Sequence, residues 1–109
     1  MGKMNLLTEM PYNEKGLAKR KAADTPEVLL MQIALLPGKS VPVHKANSNV
    51  HVYVLFGEID MELNGNKESF SEGDLMRVEY GTEMFISNPS AGESAFMVIK
   101  TPHPSEFVK

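Results

Sequence analysis

The clearest pattern in this chain is an alternation of apolar and polar residues with a period of two, broken at short intervals by Gly, Pro and Asn. Glu58-Ile59-Asp60-Met61-Glu62-Leu63 sends acids to one face and Ile59, Met61 and Leu63 to the other, as in a strand with one buried side. Asn64-Gly65-Asn66 follows with residues that tolerate positive φ, so Lys67 to Phe70 is expected to return as the hairpin partner. Upstream, Val50, Val52 and Val54 share one face while His51, Tyr53 and Leu55 share the other. Both faces are largely apolar, so this strand is expected to be covered on each side. Pro26 to Leu36 reads as a long strand closed by Pro37-Gly38. Asp74 to Val78, Glu83 to Ser87 and Ser94 to Lys100 complete the set, with Gly73, Gly81 and Asn88-Pro89 between them. Short strands with this punctuation predict an all-β sandwich or jelly-roll barrel. Residues 13–24, NEKGLAKRKAAD, contain helix formers, but Gly16 comes early and no apolar stripe develops. They are expected to be extended, with at most a single helical turn.

A length of 109 residues allows one domain. The absence of cysteine removes both a disulfide framework and a thiolate metal site. Eleven basic against fourteen acidic side chains, a net charge of −3, argue against a nucleic-acid partner, which needs a concentrated excess of Lys and Arg. No apolar run approaches the ~20 residues of a membrane span, and the start of the chain lacks a signal-peptide core. The expectation is a soluble, cytoplasmic protein with no membrane partner. Charge is unevenly spread: residues 1–47 carry seven basic and four acidic side chains, residues 57–93 two basic and nine acidic. Lys19-Arg20-Lys21 is then either a solvated edge that discourages strand pairing, or a basic arm lying across the acidic second half, of this chain or a neighbouring subunit.

Gly38 to Gly57, GKSVPVHKANSNVHVYVLFG, and Gly73 to Asn88, GDLMRVEYGTEMFISN, resemble the two motifs of the cupin superfamily. Gly38, His44 and Gly57 fall at the spacings of the first, G-x5-H-x-H-x3,4-E-x6-G. Gly73, Gly81 and Asn88 fall at those of the second, G-x5-P-x-G-x2-H-x3-N. The resemblance covers Pro26 to Lys100 and implies a double-stranded β-helix barrel, with residues 1–25 as an N-terminal arm and 101–109 as a C-terminal tail. It also implies where a metal belongs, and there the match fails. His44 keeps the first ligand position, but Ala46 stands for the second His, Val50 for the Glu and Met84 for the third His; Glu79 replaces the motif-two Pro. Alanine and valine offer a divalent ion no donor, so neither metal nor other cofactor is expected.

His51 neighbours the lost Glu position and, by strand alternation, faces away from His44. His103 reads as a surface residue between prolines, and Glu79 and Glu83 as solvated loop-flanking acids. Met84 opposite His44 suits copper(I), although eight methionines make gap-filling the simpler account. Ala46, Val50, Val52, Met84 and Ile86 are therefore expected to line the barrel, with His44 as its titratable group. That composition fits both a small-molecule site and a filled core. No catalytic residue is assigned, since no second acid–base or nucleophilic group accompanies His44. The leading expectation is a metal-free barrel that binds a small molecule. The alternatives are a metal-dependent dioxygenase, isomerase or decarboxylase with relocated ligands, and a ligand-free interaction protein. The resemblance also implies pairing through sheet faces and exchanged N-terminal strands, and the apolar face of Tyr53 and Leu55, with the extended N-terminal arm, suits a homodimer.

Overall fold

Asn64 and Gly65 take φ of 49° and 85°, the two successive positive values that a tight hairpin turn needs. Around them β5 (Glu58–Leu63) and β6 (Asn66–Ser71) pair from Leu63↔Asn66 outward, which sends Ile59, Met61 and Phe70 to the buried side. The computed structural model describes residues 3–107, so residues 1–2 of the expected arm and 108–109 of the expected tail lie outside it. The remaining strands are β1 (Leu17–Asp24), β2 (Leu29–Leu35), β3 (Ser40–Lys45), β4 (Asn49–Phe56), β7 (Leu75–Val78), β8 (Glu83–Ser87) and β9 (Ser94–Thr101), followed by a single helical turn, α1 (Pro104–Phe107). They form two antiparallel sheets, one in the order β1-β2-β9-β4-β7 and the other β3-β8-β5-β6. The fold is all-β, as the strand pattern predicts, and it is the double-stranded β-helix that the family resemblance implies.

The period-two reading assigns the inward faces of β4 and β5, but Asp60, expected among the outward acids, is buried at 8% exposed. The outer face of β4, expected to be covered, leaves Tyr53 39% exposed. Val50, Val52 and Val54 of β4 are each 1% exposed and pack between the sheets with Ile33, Leu35 and Phe96. Two boundaries differ from expectation. Pro26 to Val28 belong to a turn, where Thr25 and Val28 exchange backbone hydrogen bonds, because Pro26 fixes φ and brings no N–H to a ladder. Leu17–Asp24, placed by the sequence in an arm, is the edge strand of the five-stranded sheet, paired along its length with β2.

What precedes β1 covers the outer face of that sheet. Met10 packs with Ala18, Ala34 and Ala95, and Tyr12 and Leu55 close around them. Gln32, fully buried, donates from Nε2 to the Leu6 carbonyl at 2.6 Å and accepts from Arg20 at 2.7 Å; Arg20 also bonds Thr8 Oγ1 at 2.9 Å. Tyr12 donates its hydroxyl proton to Glu93, and burial together with that carboxylate holds the phenol well above its ordinary pKa. Leu55, expected to be open for a partner, is therefore covered by the chain's own first residues. Arg20 is spent on this docking and Lys21 on Asp24 at 3.0 Å. Within the chain, the basic triplet does not cross to the acidic half.

At the other end of β1, Asp24 also receives His103 at 2.9 Å. The Lys21 hydrogen bond, aided by His103, holds the Asp24 carboxyl below its usual range. His103 is thus a clamp for the C-terminal residues rather than a bystander.

Candidate functional site

A cavity of about 280 Å³ opens between the two sheets at the end where β3 begins to turn toward β4. One wall comes from the inward parity of the large sheet: Met31 and Ile33 of β2, Val50 of β4, and Val98 of β9. Val41, Met84 and Ile86 of β3 and β8 form the other, and Ala46 directly follows β3. Of the six residues assigned from sequence, His44, Ala46, Val50, Met84 and Ile86 border this space. Val52, equally buried, packs in the core without bordering it. The barrel is neither hollow throughout nor solid: Phe96, Leu35, Ile59 and Met61 fill the rest.

His44 differs most from expectation. It is exposed at the rim rather than buried in the interior. Its Nδ1 lies 3.0 Å from the Pro42 carbonyl, and since a carbonyl only accepts, Nδ1 carries the proton in that contact. Between Val41 and His44 the register shifts: β3 pairs with β8 as Val41↔Ile86 and then as His44↔Met84. Three residues apart on a regular strand, Val41 and His44 would face opposite sides; the irregularity between them lets both border the cavity.

The polar residues that sequence reasoning missed are Lys19, Asn47 and Lys100, all at the cavity. Lys100 occupies the inward parity of β9, two residues after Val98 and four after Phe96, and aligns with Val50 on β4. It is half-buried, and its Nζ donates to Asn47 Oδ1 at 3.0 Å. Burial first, and the nearby Lys19 charge second, push its pKa below the ordinary lysine value. The signal was present: Phe96-Met97-Val98-Ile99-Lys100 places a lysine where alternation calls for an apolar residue.

That depressed pKa makes a stability prediction. Between the folded-state pKa and the unfolded value near ~10.4 the unfolded chain binds more protons, so stability rises with pH there. Below that window the folded protein holds a buried charge at a cost. Lys100→Met is expected to raise the melting temperature at pH 7, with the gain shrinking as pH climbs into the lysine range. Melting curves at pH 7 and pH 10 check it; an equal gain at both would show that packing, not charge, is responsible.

The remaining sequence candidates do not join His44. Glu79 and Glu83 are exposed on the β7–β8 side, and His51 is on the outer face of β4 opposite Ile99 and Arg77. Among the described residues no three His, Asp or Glu side chains gather where a metal could be held. The residues at the family's ligand positions do not fit a divalent ion either: Ala46 and Val50 have no donor atom, and Met84, 2% exposed, packs in the core.

The residues that do match the family motifs have structural duties instead. Gly38 N donates to the Asn88 carbonyl and Asn88 N to the Lys39 carbonyl, both at 2.9 Å, joining the start of motif one to the end of motif two. A chain with this two-sheet barrel and these motif contacts is a small β-helix barrel of the cupin class. The comparisons agree. A curated relative, uncharacterized protein MJ0764 of Methanocaldococcus jannaschii, is 30% identical over 105 residues, covering 92% of this chain and 90% of the relative. The crystal structure of MJ0764, described as an RmlC-like cupin family protein with a double-stranded β-helix fold, superposes with a TM-score of 0.81 at 28% identity, covering 99% of this chain and all of that one. TT1209 from Thermus thermophilus superposes with a TM-score of 0.84 at 26% identity over 95% of this chain and all of its own. No protein-family model matches. This chain belongs to the cupin superfamily.

No helix among the described residues is long and apolar enough to cross a membrane.

Proposed function

We propose that this protein binds a small molecule in the barrel cavity without the usual cupin metal. The observation that carries the reading is the cavity itself: about 280 Å³, walled by apolar side chains from both sheets and polar only at its mouth. Ligand sites have this composition, a greasy interior with a few convergent polar groups. The chemistry of Ala46, Val50 and Met84 supports the metal-free part.

Elemental analysis of protein purified without chelators, then offered iron, manganese, nickel, zinc and copper, tests the metal. Well under one equivalent throughout is the expected result; near-stoichiometric retention of one ion would favour the relocated-ligand enzyme. A thermal-shift screen of metabolites tests the cavity, since a ligand that binds only the folded state raises the melting temperature. Ala46→Leu serves as its control. Ala46 is 3% exposed on the cavity wall, so a leucine there enters open space rather than packed atoms. Its stability is expected to stay within about 1.5 kcal/mol of wild type while ligand-induced stabilisation disappears. Undiminished stabilisation in this variant would place the ligand elsewhere.

The same reading carries a homodimer. Tyr53 and Leu75 are cross-strand partners on the outer face, 39% and 60% exposed, beyond the reach of the covering N-terminal residues. Sedimentation at micromolar concentration is expected to give twice the 12.1 kDa chain mass, and a single-chain mass would remove the dimer.

A further inference from the structure

Lysine on the inward side of a central strand needs a reason. Lys19 has an ordinary one, because β1 is an edge strand and an inward-pointing charge protects an edge from pairing. Lys100 has no such reason, since β9 lies between β2 and β4 in the middle of the sheet. Its ammonium has three donors and uses one, on Asn47 Oδ1. Among the described residues no carboxylate pairs with Lys100 or with Lys19; the ion pairs are Lys21–Asp24, Lys67–Asp60 and His103–Asp24. Two unneutralised cations therefore border the same apolar cavity. Because Asn47 offers its Oδ1 to Lys100, its Nδ2 is left as a further donor.

Resting on the small-molecule reading above, we propose that the ligand is an amphipathic carboxylate whose apolar body fills the cavity and whose head group is received by Lys100 and Lys19. Neutralisation favours an anion over an alcohol or an amine. The donors at the mouth are compact ammonium charges and a side-chain amide. The arginine forks and helix N-termini that recognise phosphate are missing from the cavity lining, and this favours a carboxylate. At the ~30 Å³ that a water takes, the space suits a body of on the order of nine non-hydrogen atoms. Binding also relieves the cost of burying Lys100 beside Lys19, the cost that holds its pKa down when the cavity has no anion.

Titration calorimetry with hexanoate, octanoate and 3-phenylpropanoate, each beside its matching alcohol and amine, tests the proposal. Wild-type protein is expected to bind at least one carboxylate about tenfold or more tightly than its alcohol, and the amine least. Lys100→Met is expected to erase that preference, and a melting temperature no lower than wild type shows that the variant is folded. Lys19→Met is expected to weaken the preference partly. Equal affinity for acid and alcohol overturns the carboxylate proposal and leaves the cavity reading standing. Carboxylate preference that survives both substitutions also overturns it. Failure of every probe overturns it as well, and the broader metabolite screen then decides separately whether the cavity binds anything.

Discussion

Gly57→Ala is expected to destabilise the fold by about 2–5 kcal/mol, the sum of backbone strain and overpacking. Gly57 ends motif one with a φ of 77°, in the left-handed region. A methyl group there would lie 2.5 Å from the Glu93 carbonyl oxygen and 2.7 Å from Ser94 Oγ. Neither neighbour can yield cheaply. Glu93 O is backbone, and Ser94, fully buried, ties β9 to β5 by donating to the Glu58 carbonyl at 2.5 Å and accepting from Glu58 N at 3.1 Å. Gly73→Ala separates the two causes. Gly73 has a φ of 89°, but an added methyl there meets nothing within 4 Å, so only the strain of roughly 1–2 kcal/mol applies. Urea unfolding of both variants, with slopes matching wild type, measures the difference. If the two losses were equal, close packing at Gly57 would not be the reason for its glycine.

Asn88→Asp is expected to cost about 3–5 kcal/mol at pH 7. The Asn88 side chain is 1% exposed and uses both ends of its amide. Its Nδ2 donates to the Leu35 and Gly92 carbonyls at 3.0 and 2.7 Å, and its Oδ1 accepts from Ser90 N and Ser90 Oγ at 2.9 and 2.7 Å. A carboxylate in that place would set a negative charge against two carbonyl oxygens with no donor between them. Its pKa should therefore rise above the ordinary ~3.9 of aspartate. The folded variant would then hold a proton that the unfolded chain has lost, so its stability falls as pH rises through that window. The gap to wild type should narrow on acidification from pH 7 to pH 4, because the protonated acid regains one donor. Asn88→Leu loses all four bonds and should show a deficit that does not change with pH. Denaturation curves at both pH values distinguish these outcomes.

Together these two residues explain how cupin motifs persist in a chain whose ligand positions are Ala46, Val50 and Met84. Gly57 permits a close backbone approach, and Asn88 organises the loop that joins β8 to β9. Both duties are needed with or without a metal.

Much of this architecture was readable in one dimension. Alternation is a local property, so residues 50–54 and 58–63 declared their buried faces without reference to neighbours, and Asn64-Gly65 declared its hairpin. The same parity foretold that His51 faces out, and it also marked Lys100 as inward, a signal easily passed over at the end of a strand. The motif spacing named the fold, and the missing ligands were plain in the residue types.

Other features depend on contacts between segments far apart in the chain. A register shift between Val41 and His44 brings both to the cavity, with His44 exposed at its rim, and no parity count along β3 contains that irregularity. Leu55 lost its place in an open face because Met10 and Tyr12, more than forty residues earlier, fold over it. Whether the barrel held a cavity depended on how side chains from both sheets share a volume, and Met84 or Met31 suits a filled or an open space equally. Which residues face inward, and which residue types stand at the motif's ligand spacings, follow from spacing and chemistry along the chain. Where the cavity opens, and which cations border it, follow from contacts between distant strands, and only their assembly sets them.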